Sequence, residues 1–305
     1  MIEQLCSSPT LQNLICEPLS YAFMQRAFLA MILLGIVSGV VGAYVVVRGM
    51  AFLTDALGHA ILPGVAVAYL TGGIHGPLLL GAMIAAGITA VVIGFFTRGG
   101  KLREDTAIGI VFTGALALGL AILSLHKATA VDLEALLVGN ILAINGQDLA
   151  FIAIVGLAIL LLVRAFYKEL LIVSFDPVLG ASLQYPIEAF RYLLLLMLAM
   201  TAVIAIQAVG IILIAAMMVT PAATAFLLVR RLHVMMFLSA ALSCFAGVFG
   251  IFWAWHYSLA PSAAIVLTMT ALFFLAYLFS PSRGIVWAAV ARTKLADEVV
   301  ISHEH

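Results

Sequence analysis

Charged residues are scarce in this chain. Asp, Glu, Lys and Arg together make up only 9% of its 305 residues, whereas hydrophobic residues make up 65%. Soluble domains carry about 25% charged residues, so this composition excludes an ordinary soluble domain and predicts a protein embedded in the lipid bilayer. The net charge is zero, so there is no basic excess that would predict a nucleic-acid partner.

Motifs for nucleotide, hydrolytic and redox chemistry are also missing. The nearest approach to a phosphate-binding loop, GFFTRGGK at 94–101, has the wrong glycine spacing and is followed by Leu102 instead of Ser or Thr. No GxSxG hydrolase motif occurs in a suitable context. The chain is therefore not predicted to be an enzyme, and energy for any uphill transport must come from a partner or an ion gradient.

Cysteine is rare and forms no CxxC motif, which leaves a zinc-finger or dithiol reading without support. Two of the three cysteines, Cys6 and Cys16, precede the first long apolar run. They either pair, if that segment faces an oxidising compartment, or are two unrelated thiols.

Long apolar runs are abundant. Runs of about 20 residues are long enough to cross the hydrocarbon core as helices. We predict an all-α polytopic membrane protein with about nine transmembrane helices (range 8–10). The least distinct division lies between the sixth and seventh spans, where we expect a tight reversal near Gly210 and a break or kink at Pro221. The predicted spans are 23–47, 51–70, 77–97, 105–125, 149–166, 187–209, 211–229, 235–255 and 262–279.

Basic residues are distributed unevenly between the two sides of these spans. All 14 Lys and Arg except Arg26 and Lys127 fall on the odd-numbered connections. Cytoplasmic loops carry such an excess, so we expect the N-terminus outside and the C-terminus in the cytoplasm, in a bacterial cell (inner) membrane. The predicted organisation is an extracytoplasmic segment at 1–20, a transmembrane domain at 21–284 and a cytoplasmic tail at 285–305.

Two ionisable residues, Asp55 and His59, lie inside the second span. A carboxylate there costs about 2.5–3.5 kcal/mol on insertion scales, so it should face the bundle interior or a wet cavity. The i, i+4 spacing places both side chains on one helix face, and carboxylate oxygen with imidazole nitrogen suits Mn, Fe or Zn. They could instead relay protons, or merely hydrogen-bond each other or neighbouring helices. Pro63 should free the His59 carbonyl and bend the helix, and Gly58 and Gly64 leave room for a neighbouring helix.

Two further acidic residues, Asp132 and Glu134, lie in the connection that follows the fourth span. The apolar run after them is too short to cross the membrane and indicates a re-entrant or interfacial segment. The two carboxylates either receive a cation at the outer mouth or belong to a solvated loop at a helix start.

The longest cytoplasmic connection contains the dipeptide Asp176-Pro177, an N-cap followed by proline at the first helical position. We predict a short helix over about 177–183. This helix is either a binding site for a soluble partner or a plain connector.

Six stretches, in this order, give the chain a family resemblance. It resembles the metal-uptake permeases of ABC transporters, which handle manganese, zinc or iron in bacteria, from about residue 21 to residue 284. The stretches are RGMAFLTDALGHAILPGVA, REDTAIGIVFTG, DLEALLVGNIL, FDPVLGASL, QAVGIILIAAMMVTPAATA and SPSRG.

The resemblance implies a homodimer of permeases with a fold similar to the cobalamin-importer class. It also implies two cytoplasmic ATPase subunits, an extracytoplasmic metal-binding protein that delivers the ion, and no permanently bound cofactor, since the divalent transition metal is the transported substrate. By position, the family's membrane metal site falls on Asp55 and His59, its outer-gate segment on Asp132 and Glu134, and its ATPase-contacting loop on Phe175, Asp176, Pro177 and Gly180.

Two positions depart from the family pattern, because Thr54 stands where Gly is usual and Gly58 where Ser is usual. Neither change removes a ligand, but both could alter the geometry of the site. Hard oxygen and one imidazole without a thiolate slightly favour manganese over zinc. A proton-coupled secondary carrier is the alternative, although no inverted repeat is recognisable.

Overall fold

The computed structural model describes residues 20–73, 77–100, 102–125 and 141–280, and these residues form helices joined by short connections. Nine helical segments in this part of the chain are long and apolar enough to cross a membrane. The α-helices are α1 (Ala22–Val47), α2 (Ala51–Ala60), α3 (Leu62–Gly72), α4 (Leu78–Thr97), α5 (Glu104–Leu125), α6 (Gly146–Ala165), α7 (Tyr167–Phe175), α8 (Pro177–Ser182), α9 (Ile187–Val209), α10 (Ile211–Leu228), α11 (Leu232–Tyr257) and α12 (Pro261–Phe279).

These helices confirm the predicted fold class and match the predicted spans to within a few residues. The second span is divided into α2 and α3, which meet at Ile61. Pro63 stands at the start of α3, and the amides of Gly64 and Val65 both donate to the Ile61 carbonyl at 3.1 Å. The helix is therefore interrupted next to Pro63, because proline lacks the N–H that would continue the α2 hydrogen-bond ladder; the His59 carbonyl is not left free, since the Ile61 amide donates to it.

The predicted reversal near Gly210 is also present. Gly210 has φ 81° and ψ 169°, a conformation available essentially to glycine alone, and it separates α9 from α10 without an intervening loop. Pro221 lies inside α10, and this helix continues to Leu228, so no break occurs there.

Helix α1 lies at the centre of the bundle, where it contacts α6, α9, α10 and α11. Its contact with α11 is made through small residues. A Cβ added to Gly39 would overlap the backbone of Ala240, and one added to Gly35 would lie 3.0 Å from the Cys244 amide nitrogen. Packing of this kind stabilises membrane helices because lipid supplies no hydrophobic drive between them.

Helices α5, α6 and α12 lie at the periphery and have few buried residues. Helix α5 packs against α2, α3 and α4 and exposes its other face, which includes Ile110, Leu118 and Leu125. One face of α5 and the adjacent side of α2, which includes Phe52, are therefore left uncovered by the rest of the bundle. The predicted terminal segments, 1–20 and 285–305, lie almost wholly outside the described residues, so the domain limits stay predictions.

Candidate metal centre

Helix α2 presents Asp55 and His59 on its half-buried face. The other side of the helix is packed into the bundle, with Leu53, Ala56 and Leu57 each at most 1% exposed. Among the described residues, neither ligand candidate has a hydrogen-bond or ion-pair partner. The two side chains therefore do not hydrogen-bond each other here, and both remain available to a ligand.

An aromatic side chain of α5 limits the freedom of the imidazole. The Phe112 ring lies 5.6 Å from the His59 ring, centroid to centroid, and meets the Phe52 ring edge-on at 6.1 Å. The position of α5 thus determines one wall around His59.

The two positions that depart from the family pattern lie on the packed side of α2. Thr54 is 1% exposed, and its hydroxyl donates to the Ala51 carbonyl at 2.8 Å. A Cβ on Gly58 would lie 2.8 Å from Ile211 Cγ2 at the start of α10, so this glycine admits a close neighbour. The Thr54 hydroxyl bonds within its own helix and adds no ligand to Asp55 and His59.

An apolar groove of about 800 Å³ lies close by, and Ala60, the residue after His59, is among its lining residues, whereas Asp55 and His59 are not. It lies between α3, α4 and α5, and Pro63, Gly64 and Val67 line its α3 side. A Cβ on Gly64 would overlap the Gly81 carbonyl oxygen, which confirms that this glycine permits a close approach of α3 and α4.

No group of three or more His, Cys, Asp or Glu that could hold a metal ion forms in the part of the chain that the structure describes, so the candidate centre rests there on Asp55 and His59. Asp132 and Glu134 lie outside the described residues, so their place at the outer mouth stays a prediction.

The predicted helix in the long connection is present as α8. The Asp176 carboxylate accepts a hydrogen bond from the Leu179 amide at 2.9 Å, which confirms the cap. Phe175, Val178 and Leu179 expose 59%, 78% and 47% of their surface. Gly180 is buried instead, and a Cβ there would lie 3.2 Å from Ile172 Cγ2, so it serves the packing of α8 rather than its outer surface.

Sequence reasoning missed a cluster of charged residues at the same end of the bundle as α8. This charge cluster comprises Arg48, Glu104, Glu188 and Arg191. Glu104, in the first turn of α5, accepts a hydrogen bond from Arg48 at 2.8 Å. The available signal was the rarity of charge, because Arg48 and Arg191 stand close to long apolar runs.

The comparisons with known proteins agree with this architecture. Residues 20–280 match the ABC 3 transport family. The "Manganese transport system membrane protein MntC" of Halalkalibacterium halodurans is 43% identical over 268 residues, which are 88% of this chain and 91% of that protein. A solved structure, "PsaBC from Streptococcus pneumoniae in complex with Fab", has a TM-score of 0.78 and 37% identity, covering 90% of this chain and 97% of that one. A metal-chelate type ABC transporter in an inward-facing conformation shares the fold, with a TM-score of 0.64 and 15% identity over 88% of this chain and 89% of that chain.

Proposed function

The chain belongs to the ABC 3 transport family, and on that premise we propose that it is the membrane-spanning subunit of an ATP-driven importer for a divalent transition metal. Manganese is favoured, with zinc and iron as further candidates. The observation that carries this proposal is the pair Asp55 and His59, half-buried and without protein partners among the described residues, within a helix that crosses the membrane.

The metal binds this pair transiently during its passage. A carboxylate and an imidazole from one helix turn supply two ligands, and water completes the shell. Two protein ligands hold an ion weakly enough to release it, which a translocation step requires. Phe112 packs against the imidazole and keeps it directed toward the ion.

A second copy of the permease covers the face that carries Asp55 and His59. Both residues are partly exposed in one subunit, and a carboxylate facing lipid would be costly. Lipid-facing charge is avoided if the exposed sides of α2 and α5 meet their symmetry mates in a homodimer. The ion then enters between the subunits, past Asp132 and Glu134, from an extracytoplasmic binding protein.

The ATPase subunit binds at α8. This helix is too short to span the membrane and exposes Phe175, Val178 and Leu179. Exposed apolar patches of this kind mark protein-binding surfaces. The Asp176 cap and Pro177 start the helix, and buried Gly180 lets it lie against α7 and α9. We accordingly propose that α8 and the C-terminus lie in the cytoplasm and the N-terminus outside.

Metal uptake by the reconstituted complex of permease, ATPase and binding protein tests the proposal. Asp55→Asn and His59→Ala should each abolish Mn²⁺ uptake while ATP hydrolysis continues, because only the ligands are lost. Asp105→Asn and His256→Ala are matched controls, since they remove an exposed carboxylate and an exposed imidazole elsewhere. Uptake that survives both ligand changes would contradict the proposed centre. Uptake that runs on a proton gradient without ATP would show a secondary carrier instead.

A further inference from the structure

Arg191 joins α9 to α4 at the end of the bundle that carries α8. From the first turns of α9, its Nη2 donates to the Gly94 carbonyl at 2.7 Å and its Nη1 donates to the Thr97 carbonyl at 2.9 Å. Both acceptors are in the last turn of α4, where the carbonyls lack helical donors and the helix dipole favours a cation. Tyr192 packs beside this contact, against Gly94.

Helix α8 is held against the start of α9 by hydrogen bonds and packing. The Tyr185 amide donates to the Gly180 carbonyl at 3.1 Å, and the Ile187 amide donates to the Tyr185 carbonyl at 2.9 Å. Gly180 packs under Ile187, and the Tyr185 and Phe190 rings meet edge-on at 6.5 Å. A displacement of α8 would therefore also displace the first turns of α9, which carry Arg191.

The rest of the charge cluster brings in α1 and α5. Arg48 ends α1 and bonds Glu104 at the start of α5, and its side chain is only 11% exposed. Burial lowers the pKa of the Arg48 guanidinium; the Glu104 carboxylate opposes this, and the positive charge of Arg191 adds to it. The charge cluster thus connects the ends of four helices, α1, α4, α5 and α9.

The hydrogen bonding of this unit is incomplete. Arg48 Nη1 and Arg191 Nε are buried without an acceptor among the described residues. Glu188 lies 2.8 Å from Arg191 Nη2 as an ion pair, outside hydrogen-bond geometry. Buried polar groups nearly always have hydrogen-bond partners. A buried cluster with some donors unpaired is therefore costly if its only role is to hold the helices in one arrangement. Unused donors are expected where the same side chains change partners between two states.

We propose that Arg191 is a positioning residue that transmits the movement of α8 to the end of α4, and that the charge cluster exchanges partners as the transporter changes state. The proposal rests on the proposed function. Helix α5 carries Phe112, which packs against His59, and α4 and α5 line the groove that includes Ala60, the residue after His59. Movement of their ends therefore changes the walls around the ion.

The test is the number of ATP molecules hydrolysed per Mn²⁺ imported by the reconstituted complex. Arg191→Gln should raise this ratio about fivefold, at the low end of coupling between linked sites, while the amount of assembled complex and the ATPase rate stay near wild type. Arg164→Met, which removes an exposed arginine at the same end of the bundle, should leave the ratio unchanged.

If Arg191→Gln lowers uptake and ATP hydrolysis together and leaves the ratio unchanged, the proposal is overturned. Loss of a purely structural contact would lower both rates equally. If Arg191→Gln does not assemble, Arg191→Lys decides. Lysine keeps the charge but cannot bridge two carbonyls as a fork, so an intermediate ratio is expected and a wild-type ratio refutes the role. A wild-type complex that imports none of Mn²⁺, Zn²⁺ and Fe²⁺ would refute the proposed function instead.

Discussion

Replacing Gly64 with alanine tests the close approach of α3 and α4 most directly. The added Cβ would overlap the Gly81 carbonyl oxygen and lie 2.7 Å from both the Gly81 carbonyl carbon and Ala85 Cβ. Carbon atoms pack at about 3.5–4.0 Å, so these separations fall about 1 Å short. The obstructing atoms are backbone and a Cβ, which no rotamer change can move, so the helices must part.

We expect a loss of about 3 kcal/mol, the upper end of the range for overpacking. Thermal unfolding in detergent should show a midpoint roughly 5–10 °C lower. Gly87→Ala on α4 is the matched control, because its Cβ would meet only Leu196 Cδ1 at 3.9 Å and alanine improves the helix by about 0.5–1 kcal/mol. Equal midpoints for the two variants would show that α3 and α4 do not touch at Gly64, and the reasoning would fail.

Two further predictions concern helix ends. Asp176→Ala removes the cap of α8, which stabilises the helix by about 1 kcal/mol. The affinity for the ATPase subunit, measured by surface-immobilised binding, should therefore fall about fivefold. Asp176→Asn keeps a capping side chain and should retain the affinity, so equal losses in the two variants would exclude capping as the cause. Ser258 ends α11 with φ 51°, a left-handed conformation that favours glycine. Ser258→Gly should therefore stabilise the protein by about 0.5–1 kcal/mol in the same unfolding assay, and a lower midpoint would contradict this.

The spans could be predicted from sequence because the signals that define them are local. A run of apolar residues, a proline without its N–H and a glycine at a reversal each act within one or two turns. Pro63 and Gly210 were recognised for this reason, and so was the Asp176 cap. Pro221 shows the limit, since the helix continues through it and sequence alone did not distinguish a break from accommodation within the bundle.

The charge cluster could not be predicted because its partners are far apart in sequence. Arg48 and Glu104 are separated by 56 residues, and Arg191 reaches carbonyl groups that carry no sequence signature at all. Asp55 and His59 could be selected as candidate ligands because they share one helix face, whereas the contact of Phe112 with His59 depends on the placement of α5. Local chemistry selected the candidate ligands, and tertiary packing determined what surrounds them.

The exposed apolar surface of α8 has a consequence for the biogenesis of the protein. If α8 binds the ATPase subunit as proposed, a newly inserted copy without that partner exposes Phe175, Val178 and Leu179 to water, and chaperones and proteases act on proteins with such exposed patches. Binding of the partner withdraws this signal and stabilises the subunit by mass action. We therefore expect the lifetime of the membrane subunit in the cell to follow the supply of its soluble partner, so that orphan copies are removed before they accumulate.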